Sequence, residues 1–305
     1  MPALVIRVIT ALVAMPVLLL IVWAGFPWLT ILVALVAIVG VLEFCGITLK
    51  PVRRIPQRPP PEGGGIMPPP LGDGPKLISQ QLLGKGNSPF TIFSILWAIS
   101  FILAAHFMAL DIASEKIILP VTGVGFLVSM VALLGGRPGE GRLFGWSISV
   151  GAAIYIGGLL SYALLIRGLE QGWQWLYLTL SITFATDTVA FFVGRSFGRK
   201  PMAPTISPGK TWAGAVGGFL VAPGISVIVS YILALPLLLW QAAILGALLG
   251  IWGQVGDLVE SFLKRSAGAK ESGWIIPGHG GVLDRLDSIV FNLVIVYYFV
   301  IWGVV

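Results

Sequence analysis

GDLVESFLKRSAGAKESGWIIPGHGGVLDRLDS, residues 256–288, joins two long apolar runs near the end of the chain. Only 10% of the 305 residues are charged, yet this stretch holds Asp257, Glu260, Lys264, Arg265, Lys270, Glu271, Asp284, Arg285 and Asp287. Charge beside a membrane segment is expensive and by default marks function. Acids, cations and two glycine-rich turns in one place are the chemistry of a metal ion and a polyphosphate.

The flanking runs set the fold. The chain is 57% hydrophobic with a mean hydropathy of +0.96, whereas a soluble domain is about half apolar and roughly a quarter charged. Apolar runs of about 20 residues span a bilayer as helices. Nine are found, at 4–24, 27–48, 90–110, 116–135, 143–166, 173–194, 212–235, 239–262 and 286–305. The expected fold is therefore an all-α polytopic membrane protein with about nine transmembrane helices. Arg7 at the start of the first run resembles a signal peptide, but without a small-residue cleavage site the run reads as a retained span. The single Cys45 rules out a disulfide within the chain.

Residues 49–89 break the pattern. They hold ten of the 21 prolines, which excludes helix over most of the stretch and favours an extended linker. The chain divides accordingly into an N-terminal two-helix hairpin (1–48), a Pro-rich cytoplasmic linker (49–89), middle helices (90–172) and a catalytic transmembrane unit (173–305). With the N-terminus in the cytoplasm and nine spans, 17 of the 19 Lys and Arg residues face the cytoplasm, and only Lys116 and Arg167 do not. This positive-inside bias places the C-terminus outside. It also accounts for the net charge of +6 without nucleic acid.

Three clusters carry chemistry. Asp187 sits inside the sixth apolar run and is expected to face a cavity, with Gly194, Arg195, Gly198, Arg199 and Lys200 as a basic, flexible exit. Ser207-Pro208-Gly209-Lys210-Thr211 opens the seventh run, where helix N–H groups and the Ser, Lys and Thr side chains can bind phosphate. A P-loop is excluded, because Pro204 stands where that motif needs glycine. In the third cluster Asp257, Glu260, Ser261 and Lys264 share a helix face, as do Asp284 and Asp287. Carboxylates from two helix ends suit a hard cation such as Mg²⁺. His279, Gly280 and Gly281 form a turn suited to phosphate, while His106, in an apolar run, reads as structural.

The pattern S-x-L-K-R-x4-K-E-S-G-x2-I-P-G-H-G-G-x2-D-R-x-D over Ser261–Asp287 resembles the signature of the phosphatidate cytidylyltransferase (CDP-diacylglycerol synthase) family. DTxAFxxGRxFGR and SPGKTWxG, between Asp187 and Gly214, match the same family. The resemblance covers roughly the last 120 residues; Glu271 stands where the family usually has aspartate and Ala213 where it often has glutamate. It implies Mg²⁺-dependent formation of CDP-diacylglycerol and pyrophosphate from CTP and phosphatidate in a bacterial cytoplasmic (inner) membrane. A second metal ion and a homodimer stay open. On this reading Asp257, Lys264, Asp284 and Arg285 are catalytic, and Asp257, Asp284 and Asp287 hold metal. Asp187, Ser207, Lys210, Thr211, Arg265, Lys270, His279, Gly280 and Gly281 bind substrate. Polyprenol kinases and archaeal-lipid cytidylyltransferases use CTP on other lipids and are the near alternatives. A secondary transporter with Asp187 and Asp257 on an ion path is the distant one, but it predicts matching broken segments in both halves, and none is evident.

Overall fold

The computed structural model describes residues 3–49, 89–136, 139–273 and 280–304, which are helical apart from loops and one short hairpin. A chain in lipid must satisfy its own backbone N–H and C=O groups, so its apolar runs fold as helices. In order these are α1 (Ala3–Ala24), α2 (Trp28–Thr48), α3 (Pro89–Ala109) and α4 (Ile118–Leu134, entered through a 3-10 turn at Glu115–Ile117). A single span follows, made of α5 (Glu140–Ala152), a π-helical turn (Ala153–Gly158) and α6 (Tyr162–Gly168). Then come α7 (Gly172–Phe197), α8 (Trp212–Ile232), α9 (Leu239–Ser266) and α10 (Leu283–Gly303). Eight segments are long and apolar enough to cross a membrane, and the 22-residue α1 makes nine among the described residues. Every end lies within four residues of its sequence expectation. This is an integral membrane protein.

One element was not expected. Pro201–Ala203 (β1) and Ser207–Thr211 (β2) form an antiparallel hairpin between α7 and α8. Ser207 and Lys210 therefore lie on a strand, not on the first turn of a helix. Only Thr211 is at the helix end, where its Oγ1 accepts a bond from Gly214 N at 3.2 Å as the N-cap of α8. The run before the hairpin is also no flexible exit. α7 continues through Phe197, and Gly194 and Gly214 let α7 and α8 touch backbone to backbone, with Gly214 against the Ala190 carbonyl. The Pro-rich residues 50–88 and His279 lie outside the described residues.

Lipid gives helices no hydrophobic reason to associate, so close packing and interhelical hydrogen bonds hold the bundle. Ser94 Oγ and Ser149 Oγ bridge α3 and α5 at 2.6 Å, and Asn292 Nδ2 donates to Thr183 Oγ1 across α10 and α7 at 2.8 Å. Bonds of this kind contribute about 0.6 kcal/mol on average, rising to about 1.7. His106 is structural as expected: its Nδ1 meets Thr30 Oγ1 at 2.9 Å and its ring stands edge-on to Phe26. Arg167, one of the two exceptions to the charge bias, has a local role. Its guanidinium donates to the Val22 and Trp23 carbonyls at 3.2 and 3.3 Å, closing the end of α1.

α9 and α10 pack tightly at Gly256. A Cβ there would collide with the Asp287 carbonyl oxygen and the Phe291 ring. This contact brings the Asp257 turn of α9 beside the Asp287 turn of α10. Gly256→Ala is expected to cost about 1–3 kcal/mol through overpacking, read as a lower thermal midpoint in detergent. An unchanged midpoint would mean that the two helices are not locked at this point.

Candidate active site

α7, α8, α9, α10 and the hairpin enclose one open cavity of about 1350 Å³. Asp187, Lys210, Thr211, Asp257, Lys264, Gly280, Asp284, Arg285 and Asp287 all line it, so three stretches far apart in sequence meet on one wall. Arg195, Gln254 and Glu271 join them. Phe184, Phe191, Phe192 and Ile289 form an apolar side. Phe191 and Phe192 are also exposed, so the cavity lining includes exposed apolar residues beside the charged ones.

Its deepest charges are acidic. Asp257 repels both Asp187 and Asp287 across the space, and Lys210, Lys264 and Arg285 offset them. Lys210 Nζ sits 2.6 Å from Asp257 Oδ2, and Ser261 Oγ is 3.4 Å from Asp257 Oδ1. The β1–β2 hairpin thus reaches into the site through one lysine, a pairing between positions 47 residues apart. Asp287 Oδ1 accepts the Ser288 N–H at 2.7 Å. Three carboxylates of one sign around a partly desolvated space favour a cation among them. Their oxygens are the hard donors that Mg²⁺ takes. Among the described residues no three such groups are yet close enough together to enclose a metal.

Asp284 is differently engaged. Lys264 Nζ lies 2.6 Å from Asp284 Oδ1 and 3.0 Å from Glu260 Oε1, so one lysine bridges two carboxylates. Glu260 is fully buried, and its pairing with Lys264 is the i,i+4 contact that their shared helix face allows. Asp284 Oδ2 accepts from Ser272 N, Ser272 Oγ and Gly281 N, each at 2.9 Å. With both oxygens occupied by protein donors, Asp284 is set up to hold the segment before α10. A metal held at Asp284 would share these oxygens with the protein donors.

Four candidates stand off the cavity wall: Ser207, Arg265, Lys270 and Gly281. Arg265 instead clamps the hairpin to the end of α9, donating from Nε to Ile206 O and from Nη1 to Ala269 O at 3.1 Å each. Sequence reasoning missed Glu43. This acid on α2, 7% exposed, accepts Ser272 Oγ at 3.1 Å, Val282 N at 3.1 Å and Leu283 N at 2.9 Å. The signal was available, since Glu43 is the one acid in the apolar run 27–48.

The fold and the site define a polytopic membrane protein with one charged cavity at the ends of its C-terminal helices. The chain belongs to the cytidylyltransferase family, whose model matches residues 80–302. It is 41% identical over 148 residues to the phosphatidate cytidylyltransferase of Bacillus subtilis (strain 168), covering 48% of this chain and 55% of that protein. With the phosphatidate cytidylyltransferase of Brucella abortus (strain 2308) it shares 40% over 179 residues, 58% of this chain and 64% of the relative. With the chloroplastic phosphatidate cytidylyltransferase 4 of Arabidopsis thaliana it shares 33% over 255 residues, 74% and 62% respectively. The chain thus spans between about half and two thirds of the length of these relatives.

Proposed function

We propose that this chain makes CDP-diacylglycerol and pyrophosphate from CTP and phosphatidate, with Mg²⁺, at the cytoplasmic face of a bacterial cytoplasmic membrane. One observation carries the reading: a single cavity is lined by five carboxylates and four cations together with Phe184, Phe191 and Phe192. A nucleotide triphosphate needs the charged end, and a lipid with two acyl chains needs the other. The names of the relatives fit the same reaction.

A phosphatidate oxygen attacks the α-phosphorus of CTP. The new O–P bond forms as the bond from the α-phosphorus to the bridging oxygen breaks, and pyrophosphate leaves with that electron pair. The nucleophile is already an anion, so little general-base help is needed. The barrier lies in bringing two polyanions together, which positioning and charge neutralisation lower. Lys210, Arg195 and Arg285 line the cavity wall and would meet the phosphate oxygens there. Asp257 and Asp287, with Asp187 beside them, would hold the metal. A bound Mg²⁺ supplies charge stabilisation at the transferring phosphoryl group. Asp284 and Lys264, on the same wall, brace it through their ion pair.

The test is a panel of acceptors (phosphatidate, a polyprenol and an isoprenoid ether lipid) with labelled CTP and the purified protein in detergent. Label is expected in phosphatidate only, at least 100-fold above the other acceptors, and lost on chelation and restored by Mg²⁺. Transfer to a polyprenol or to the ether lipid would replace this reading with the corresponding enzyme. Ion flux in proteoliposomes without any transfer would replace it with a transporter.

A further inference from the structure

We propose that Glu43 is a positioning residue for the site, so that the N-terminal hairpin is part of the catalytic unit and not a separate one. The inference rests on the reaction above only for its activity readout. Glu43 lies in the last turns of α2, and among the described residues its hydrogen bonds come from Ser272, in the loop after α9, and from Val282 and Leu283 at the start of α10. The Val282 and Leu283 N–H groups stand at the start of α10, where no carbonyl of the same helix can take them. A carboxylate at that end also suits the helix dipole. Ser272 Oγ lies between Glu43 Oε2 (3.1 Å) and Asp284 Oδ2 (2.9 Å), and its one proton is shared by the two. Asp284 then holds Lys264. A continuous polar chain therefore runs from α2 through Ser272 and Asp284 to the cation of α9.

The fit is built from both sides. A Cβ on Gly273 would collide with Glu43 Oε1, and one on Gly281 would collide with Ser272 Oγ and Glu43 Oε2. The two glycines that flank the loop thus admit the carboxylate. An acid in an apolar helix costs stability, and helix packing alone would be served by a leucine. What Glu43 adds is the setting of the α10 entrance, which orients Asp284, Arg285 and Asp287 within one turn.

The experiment uses the full-length protein in detergent with Glu43→Gln, Ser272→Ala, the double variant, and Val41→Ala, a buried α2 residue away from the site, as a packing control. Two readouts are taken: hydrogen exchange of peptides covering 280–286, and kcat and KM for CTP. Glu43→Gln is expected to speed exchange at the α10 entrance and to lower kcat about 10–100-fold, the range for hydrogen-bonded supporting residues. KM for CTP is expected to stay within about threefold of wild type, since the cavity cations are untouched. The double variant is expected to be no worse than the poorer single one, because the two residues share one proton. Unchanged exchange and kcat in Glu43→Gln would overturn the proposal. So would an equal loss of kcat in Val41→Ala, which would reduce Glu43 to packing. A wild-type protein that turns over no CTP contradicts the reaction instead, and the exchange comparison then decides the role of Glu43.

Discussion

Asp257→Asn is expected to lower CTP- and Mg²⁺-dependent turnover about 10³-fold while the purified protein keeps its helical content. The substitution preserves size and removes one charge. Asp257 faces Asp187 and Asp287 across the cavity and holds Lys210 at 2.6 Å, so it sits where the acidic wall meets the hairpin. Metal stabilisation of transferring phosphoryl groups contributes several kcal/mol, and about 4 kcal/mol corresponds to about 10³ in rate. Lys116→Ala, on the 3-10 turn before α4, serves as the comparison and is expected to keep full activity. Near-normal turnover in Asp257→Asn would remove Asp257 from the metal site. An equal loss in both variants would point to misfolding.

Lys264→Met is expected to be the most destabilising single change at the site. Its stem length is kept, but Glu260 and Asp284 lose the cation between them. Breaking a buried ion pair by removing one partner costs about 3–5 kcal/mol, because the remaining charge stays buried without compensation. Here two carboxylates are stranded, one of them fully buried. A large fall in thermal midpoint and in folded yield follows. Adding Glu260→Gln to Lys264→Met removes one stranded charge and is expected to recover part of the midpoint. If Lys264→Met alone leaves the midpoint unchanged, the bridge does not hold α9 to α10.

The spans were legible in the sequence because each is a local property: about 20 apolar residues, bounded by charge, glycine or proline. Asp187, Lys210, Asp257 and Asp287 were legible as candidates for a related reason, since charge inside or beside such a run stands out. Their partners were not legible. Glu43 meets Ser272 and Leu283 across 229 and 240 positions, a pairing set by helix packing and invisible to periodicity. Ser207–Thr211 alone reads as a helix start because SPGKT has the donors of a phosphate-binding turn. Its strand pairing with Pro201–Ala203 depends on a neighbour, not on its own composition. The contacts of Asp284 with Lys264, Ser272 and Gly281 are likewise set by packing. In this protein the candidate groups were visible one by one, and the division of labour among them came from tertiary contacts.

The most direct test supplies the purified protein with phosphatidate, Mg²⁺ and CTP labelled in parallel at the α- or the γ-phosphate. The proposed attack at the α-phosphorus puts the α label in the lipid and the γ label in pyrophosphate. The γ label in the lipid, or no label in the lipid at all, would contradict it.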